Sequence, residues 1–183
     1  MEEQTELRQK PEPRKKELLG WLRDIAIAGL IVFVLFRFVI QAVTVNGMSM
    51  SPTLADGDRL LTFTLFYVPK QGNIVTLSEN TGLDDSLIKR VAAVAGQTVD
   101  INENGEILVD GKVLSEPYIA ETIDAFHCGS QEYPLTVPEG TVFVLGDNRN
   151  HSTDSRVLGP IGTGEVLGRV LFRLRPLNRM GPV

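Results

Sequence analysis

The feature that most constrains this chain is a largely apolar run of 21 residues, Ile25–Val45, whose one charged residue is Arg37. As a helix, a run of this length rises about 31 Å, which is enough to cross the hydrocarbon core of a bilayer. Arg37 lies two-thirds of the way along the run, where its guanidinium can extend to the headgroups. The run therefore predicts a transmembrane helix over residues 25–45.

Two other interpretations of this run are less consistent with its surroundings. A buried core helix is disfavoured because the run is apolar on all faces and follows a basic tail. A cleaved signal peptide would fit the length of Ile25–Phe36. However, the leader before it is long, and no small-x-small cleavage site follows it. We therefore favour an uncleaved signal anchor.

The distribution of basic residues predicts the orientation of this anchor. After the run, the first basic residue is Arg59. Before it, basic charge is concentrated at Arg14, Lys15, Lys16 and Arg23. Because lysine and arginine accumulate on the cytoplasmic side, we expect residues 1–24 to be a cytoplasmic tail at the cell membrane. Pro11 and Pro13 suggest that residues 1–15 are disordered. Residues 46–183 would then form an extracytoplasmic domain, with the lipid bilayer as one partner of the chain.

Composition excludes several classes of function. The chain has 183 residues, of which 43% are hydrophobic and 22% are charged, as in an ordinary globular protein. Its two histidines and one cysteine, Cys128, lack the spacing of a zinc site and form no intrachain disulfide. A net charge of −5 argues against nucleic-acid binding. We expect no metal and no cofactor, and we expect Cys128 to be a small buried residue.

Beyond Val45 the sequence predicts a mainly β domain. Asn104-Gly105 and Asp110-Gly111 are hairpin turn signals between short apolar segments. No stretch after Val45 has a convincing helical period, so we expect a mostly antiparallel sheet or barrel. The predicted strands are Arg59–Phe66, Asn73–Leu77, Ser86–Ala95, Thr141–Leu145 and Val166–Leu174.

The stretch Gly47–Thr53, sequence GMSMSPT, joins the apolar run to this domain. Its glycine, serines and proline are typical of a turn, and Ser51 before Pro52 is well suited to one. Its position at the membrane exit also makes it a candidate site for a reactive serine. The residues alone do not choose between Ser49 and Ser51.

Lys89 is a candidate general base. In a strand over 87–93, Lys89 shares a face with Leu87 and Val91, while Arg90 lies on the other face. Arginine prefers water, so we expect the Arg90 face to be exposed and Lys89 to be buried. Burial favours a neutral amine, and a pKa near 8 would correspond to roughly 3 kcal/mol of desolvation. A lysine at a sheet edge is the structural alternative.

The loop Gly146–Arg156, sequence GDNRNHSTDSR, follows a predicted strand and is dense in hydrogen-bonding groups. It is either a solvated surface loop or a rigid polar shelf held by its charged residues. His151 and Asp154 could also serve Ser49 as a Ser-His-Asp triad. His127 is a weaker candidate because its segment has no regular pattern.

Three ordered motifs resemble type I signal peptidases, the Ser-Lys leader peptidases of bacteria. These are VNGMSMSPTL (Val45–Leu54), LIKRVAAVAGQTV (Leu87–Val99) and the loop Gly146–Arg156, and a weaker fourth is GNIVTL (Gly72–Leu77). The resemblance spans nearly all of residues 25–175. It implies a bent, barrel-like all-β core with an apolar surface that dips into the membrane.

The resemblance also implies roles for individual residues. Ser49 corresponds to the nucleophile, Lys89 to the general base and Ser152 to the hydroxyl that orients the lysine. Site-supporting positions are Asp147, Arg149, Asp154 and Arg156, and the pocket for small substrate side chains is expected near Met50, Leu54 and Ile88. The implied activity is cleavage of signal peptides from exported preproteins after Ala-x-Ala-type sites, through an acyl-enzyme.

Gly47 departs from one branch of this family. Some members have a serine two residues before the nucleophile, and its hydroxyl contributes to the oxyanion hole. Glycine at this position resembles the branch found largely in Gram-positive bacteria, and the short distance between Lys89 and Gly146 agrees with it. The hole would then depend on the Ser49 N–H and on a second donor that the sequence does not identify.

Two alternative functions remain open at this point. An anchored all-β binding module would have no catalytic activity, and an inert protein in a cleavage assay would favour it. A self-cleaving peptidase of the repressor type would share the Ser-Lys pair. The anchor and the lack of a DNA-binding motif argue against this second alternative.

Overall fold

The computed structural model of the chain describes residues 14–78 and 87–183. The predicted disorder of residues 1–15 lies mostly outside this part, as does Ser86 of a predicted strand. Two α-helices, α1 (Arg14–Phe38) and α2 (Ser155–Leu158), accompany the strands. The strands are β1 (Ile40–Thr44), β2 (Arg59–Phe63), β3 (Ile74–Leu77), β4 (Ile88–Val94), β5 (Thr98–Ile101), β6 (Ile107–Val109), β7 (Lys112–Val113), β8 (Leu135–Thr136), β9 (Thr141–Leu145), β10 (Ile161–Gly162), β11 (Val166–Arg175) and β12 (Gly181–Pro182).

The apolar run contains both a helix and a strand, which corrects the predicted helix boundaries of residues 25–45. Helix α1 begins eleven residues earlier and ends at Phe38. Residues 40–44 instead form β1, which pairs antiparallel with β2. Hydropathy alone does not separate these elements, because an apolar strand extends the same run. Within α1, the segment Glu17–Arg37 is long and apolar enough to cross a membrane.

The chain divides into two compact units, residues 1–37 and residues 38–183. The second unit contains the twelve strands that the described residues form, and every pair among them is antiparallel. The predicted mainly β class is therefore confirmed. Its larger sheet has the order β1-β2-β11-β3-β4-β9-β10, with β12 beside β11.

Register shifts in this sheet occur within β11 and within β4, between Val91 and Ala93. Such bulges increase local twist and bend a sheet. The result is a curled half-barrel, in which β1 and β10 do not pair with each other in the described part of the chain.

A smaller four-stranded sheet has the order β7-β6-β5-β8. Its two tight turns are those that the sequence predicted. Asp110 and Gly111 both have positive φ, as a type I′ turn between β6 and β7 requires. Gly105 also has positive φ in the turn between β5 and β6. Both hairpin predictions are thus confirmed.

Three apolar clusters stabilise the β unit. One lies between the two sheets and includes Val99 and Phe143. A second, around Val75 and Val144, covers one face of the larger sheet. The third joins Val45, Met50, Leu54, Leu60, Ile74, Ile88 and Val170. This third cluster matters for function because it anchors the stretch around Ser49.

Candidate active site

The Ser49 stretch is fixed at both ends by buried apolar side chains. Val45 precedes it, and Met50 follows it in the same core cluster. Gly47 adopts a φ of +84°, which glycine reaches without strain, and its N–H donates to Asp56 Oδ1 at 2.7 Å. Ser49 is therefore held on a short, ordered turn at the surface of a packed core.

Lys89 is buried in the middle of the curled sheet. It belongs to β4, which lies between β3 and β9, and only 2% of its surface is exposed. The predicted burial of Lys89 is confirmed, and it does not lie at a sheet edge. The predicted exposure of Arg90 was wrong, because its side chain is only 12% exposed. Both faces of β4 are covered.

Ser49 and Lys89 meet at hydrogen-bonding distance. Lys89 Nζ donates to Ser49 Oγ at 2.8 Å and to the Ile88 carbonyl oxygen at 3.2 Å. Burial lowers the pKa of Lys89 from 10.5 to about 8. Two nearby charges have smaller effects: Asp154 raises this pKa, and Arg156 lowers it. A lysine with this pKa is partly neutral near physiological pH and can act as a base.

Asp147 links the loop 146–156 to both halves of this pair. Its two oxygens accept hydrogen bonds from Arg90 Nε at 2.8 Å and Nη2 at 2.7 Å. Thr53 Oγ1 also donates to Asp147, at 2.5 Å. One carboxylate thus ties the strand that carries the base to the turn that carries Ser49.

Asn148 holds the Ser49 turn directly. Its backbone N–H donates to the Ser49 carbonyl oxygen at 3.0 Å. Its side-chain amide donates to the Met48 carbonyl oxygen at 3.1 Å. These bonds restrict the backbone on both sides of the Ser49 N–H, so the loop 146–156 positions the serine.

Asp154 and Arg156 form a buried pair behind the site. Arg156 Nε and Nη2 each donate to Asp154 at 2.8 Å, and both side chains are almost fully buried. Asp154 also accepts from the Gly146 N–H at 2.9 Å and caps α2. The guanidinium of Arg156 further binds the Arg149 and His127 carbonyl oxygens. This arrangement agrees with the rigid polar shelf and not with a solvated loop.

Glu116 is a functional candidate that the sequence analysis missed. Both of its oxygens accept hydrogen bonds from the buried Arg149, and Arg149 Nε donates to the Gly146 carbonyl oxygen at 3.0 Å. Two residues further on, the ring of Tyr118 lies 3.8 Å from the guanidinium of Arg90. The acid at position 116 has no local pattern that marks it, since its partner lies 33 positions away.

Gly146 brings Ser152 close to the Ser49 turn. A Cβ at position 146 would lie 2.2 Å from Ser152 Oγ and 2.5 Å from the Ser49 carbonyl oxygen, so only glycine fits there. Ser152 Oγ is buried and has no hydrogen-bond partner among the described residues. The resemblance implies a hydrogen bond between Ser152 and Lys89, and no such bond is present among the described residues.

A small cleft of about 120 Å³ opens beside Ser49 and Lys89. Met50 and Ile88, two of the three residues expected near the substrate pocket, line it, whereas Leu54 lies in the core cluster with them and not in the cleft wall. The remaining lining residues, which the prediction did not name, are Val45, Asn46 and Leu87.

The rival triad is not assembled. Within residues 14–78 and 87–183, no hydrogen bond joins His151 to Ser49 or Asp154, and His151 is exposed. His127 bonds Asp124 at 2.6 Å on the surface. Cys128 was expected to be buried; it is half-buried and packs against the apolar cluster between the two sheets. Across the described residues, no three His, Cys, Asp or Glu side chains are grouped so as to hold a metal ion.

Comparison with known proteins matches residues 18–175 to the family described as "Signal peptidase, peptidase S26". Signal peptidase IB of Staphylococcus aureus strain Mu50 is 35% identical over 90% of this chain and 93% of its own length. A probable signal peptidase I-1 of Synechocystis is 37% identical over 86% and 83% of the two chains. A crystal structure of a signal peptidase I from Enterococcus faecalis is 30% identical, with a TM-score of 0.47, and the match covers 56% of this chain and 97% of that chain.

Proposed function

We propose that this chain, which belongs to the signal peptidase family, peptidase S26, cleaves signal peptides by means of a Ser49–Lys89 dyad. Membership of the family makes the chain a serine peptidase, so the alternative of a binding module without catalysis is set aside. The observation that carries the dyad is the 2.8 Å bond between Lys89 Nζ and Ser49 Oγ, together with the burial of Lys89.

The first half of the reaction forms an acyl-enzyme. Neutral Lys89 accepts the proton of Ser49 Oγ as this oxygen attacks the carbonyl carbon of the scissile peptide bond. The resulting ammonium returns a proton to the leaving nitrogen as the carbon–nitrogen bond breaks. The mature protein departs, and the signal peptide remains as an ester on Ser49.

Water completes the cycle. Neutral Lys89 takes a proton from a water molecule, whose oxygen attacks the ester carbon. The ester bond breaks, and Ser49 Oγ regains a proton from the lysine ammonium. No group outside the dyad has to accept or supply a net proton, because each half-reaction leaves Lys89 neutral.

Asn46 is our candidate for the second oxyanion donor, beside the Ser49 N–H. Gly47 has no hydroxyl, and its N–H is already bonded to Asp56. The polar side chains that line the cleft, within the described residues, are those of Asn46, Ser49 and Lys89. Replacing Asn46 with alanine should lower kcat about a hundredfold or more with little change in KM. An unchanged kcat would remove Asn46 from this role.

The size and lining of the cleft support a preference for small side chains before the scissile bond. A volume of about 120 Å³ with Val45, Met50 and Ile88 in its walls fits an alanine and excludes large or charged groups. We therefore propose Ala-x-Ala-type sites in exported preproteins as substrates. Leu54 supports the cleft from the core, through its packing with Met50.

The remaining site residues are proposed as positioning residues. Asp147, Arg149, Asp154 and Arg156 hold the loop that positions Ser49. Ser152 orients Lys89, because its buried Oγ has no partner among the described residues and can accept a hydrogen bond from the ammonium that forms when Lys89 takes the serine proton. The basic residues in the N-terminal part of α1 support a cytoplasmic N-terminus at the cell membrane and an extracytoplasmic peptidase domain.

The proposal is tested by incubating the protein in detergent with a short peptide that spans an Ala-x-Ala site and identifying the products by mass spectrometry. Wild-type protein should cut after the second alanine, and Ser49→Ala and Lys89→Ala should each be inactive. His151→Ala is the matched control and should retain most of the activity. An inactive His151→Ala together with an active Lys89→Ala would replace the dyad with the histidine triad.

A further inference from the structure

The segment that follows β7 places one tyrosine in contact with two ion pairs of the site. Tyr118 Oη donates to Glu116 Oε1 at 3.1 Å, and Glu116 is the carboxylate that pairs with Arg149. The ring centroid of Tyr118 lies 3.8 Å from Cζ of Arg90. Arg90 in turn donates two hydrogen bonds to Asp147. A single side chain, from outside the catalytic motifs, therefore contacts a member of each pair.

Both ion pairs are shielded from water, which strengthens the contacts that Tyr118 makes. The side chains of Arg149, Glu116 and Asp147 are almost fully buried, and that of Arg90 is nearly so. A guanidinium over an aromatic ring is attracted more strongly where water is excluded. Burial, and the carboxylate of Glu116 beside it, raise the pKa of Tyr118, so its hydroxyl remains a hydrogen-bond donor well into alkaline pH.

The two arginines and two carboxylates of this cluster could also pair in another way. Burial by itself would lower the pKa of Arg149, but its hydrogen bonds to Glu116 and, more weakly, the charge of Asp147 raise it overall. Asp147 is thus within electrostatic reach of Arg149 while it is bonded to Arg90. If Arg149 moved onto Asp147, it would occupy oxygens that Arg90 now uses. Tyr118 favours the observed pairing, because it bonds Glu116 and covers Arg90.

We propose that Tyr118 is a positioning residue of the peptidase site, which keeps Arg90 paired with Asp147 and Arg149 paired with Glu116. A tyrosine is suited to this role because its ring and its hydroxyl serve different partners. Phenylalanine would keep the ring over Arg90 and lose the hydrogen bond to Glu116. Leucine would lose both contacts. The two parts of the side chain can therefore be tested separately.

Asp147 carries the effect of this pairing to the nucleophile. Thr53 Oγ1 donates to Asp147 at 2.5 Å, and Thr53 lies four residues after Ser49. On the other side, Arg90 directly follows Lys89 in β4. A change of partners at Asp147 would shift Ser49 relative to Lys89, so it should slow the reaction more than it weakens substrate binding. The inference rests on the proposed Ser49–Lys89 dyad.

The first test measures kcat and KM of full-length variants in detergent with the Ala-x-Ala peptide. Tyr118→Leu should lower kcat about tenfold or more and leave KM nearly unchanged, because small displacements of reacting groups slow the chemical step. Tyr118→Phe should have a kcat between those of Tyr118→Leu and the wild-type protein. Tyr67→Leu is the matched control, since Tyr67 is also half-buried and bonds Asn73 through its hydroxyl at 2.8 Å. Its kcat should equal that of the wild-type protein.

A double variant separates positioning from a general loss of stability. Thr53→Val removes the hydroxyl that connects Asp147 to the Ser49 turn. If Tyr118 acts through this connection, Tyr118→Leu should lower kcat much less in the Thr53→Val protein than in the wild-type protein. Independent effects would instead multiply. Urea unfolding midpoints in detergent verify that the variants are folded, and Tyr118→Phe replaces Tyr118→Leu in this comparison if the leucine variant is unfolded.

Three results would overturn the inference. These are a wild-type kcat for a folded Tyr118→Leu protein, an equal loss of kcat in Tyr67→Leu, and losses that multiply in Thr53→Val/Tyr118→Leu. A failure of the proposed function gives a different result. An active Lys89→Ala would remove the dyad, while non-additive losses at Tyr118 and Thr53 would still establish the connection to the Ser49 turn. An inactive Lys89→Ala with a fully active Tyr118→Leu would keep the dyad and remove the role of Tyr118.

Discussion

Replacing the buried Lys89 with methionine should abolish activity and stabilise the fold. In the folded chain the pKa of Lys89 is lowered from 10.5 to about 8, chiefly by burial. At 1.36 kcal/mol per unit, this difference corresponds to about 3 kcal/mol that folding loses at neutral pH. Methionine has a similar length and no charge, so Lys89→Met should raise the free energy of unfolding by up to this amount.

The lowered pKa of Lys89 also determines how folding stability changes with pH. Between pH 8 and pH 10.5 the unfolded chain binds a proton at Lys89 that the folded chain does not, so stability rises with pH in this window. Below pH 8 both states are protonated, and the full penalty remains. The wild-type protein should therefore gain about 3 kcal/mol across the window relative to Lys89→Met, because that variant lacks the titrating group.

Urea unfolding in detergent, measured at several pH values, provides the assay. Lys112→Met is the matched control, since Lys112 is exposed on β7. Its stability should follow that of the wild-type protein throughout. The reasoning would be refuted if Lys89→Met were no more stable than the wild-type protein at pH 7, or if the difference between them did not shrink from pH 8 to pH 10.5.

Three further predictions concern the site. The kcat/KM of the wild-type protein should rise with pH and level off above an apparent pKa of about 8, because only the neutral lysine accepts a proton. A midpoint of this pH profile at about 6.5 would indicate a histidine base instead. Gly146→Ala should lower both stability, by about 1–3 kcal/mol, and activity, since its Cβ would lie 2.2 Å from Ser152 Oγ; Gly162→Ala, which has open space, should behave like the wild-type protein in thermal unfolding and cleavage assays. Arg156→Met should cost about 3–5 kcal/mol in urea unfolding because it leaves Asp154 buried without its partner, and Asp154→Asn in the same chain should recover part of this loss.

The sequence predicted those parts of the site that depend on local patterns. Lys89 lies between apolar neighbours in a strand, and strand alternation was sufficient to predict its burial. The same alternation placed Arg90 in water, which was wrong. Alternation indicates which residues share a face, but it does not say whether the second face is covered. Here Asp147 and Tyr118 cover it, and both lie far from Arg90 in the sequence.

Long-range ion pairs were the main omission. Arg149 and Asp147 were expected to support the loop 146–156, and both do so, but through Glu116 and Arg90, which lie outside it. Charge spacing predicts partners only within a few residues, as for Asp154 and Arg156. β1 was missed for a related reason. Residues 40–44 form a strand and not the end of α1 because they pair with β2, and hydropathy does not reveal strand pairing.

β4 explains why the base and the loop 146–156 act as one unit. On one face of this strand Lys89 bonds Ser49, and from the next position Arg90 holds Asp147 with two hydrogen bonds. Asp147 in turn accepts from Thr53, four positions after the serine. Any shift of β4 relative to the Ser49 turn would therefore have to break either the buried Arg90–Asp147 pair, at a cost of about 3–5 kcal/mol, or the hydrogen bond from Thr53 to Asp147. The distance between nucleophile and base is thus maintained by a charged contact on the opposite side of the strand, and the short bond between Ser49 and Lys89 does not have to maintain it alone.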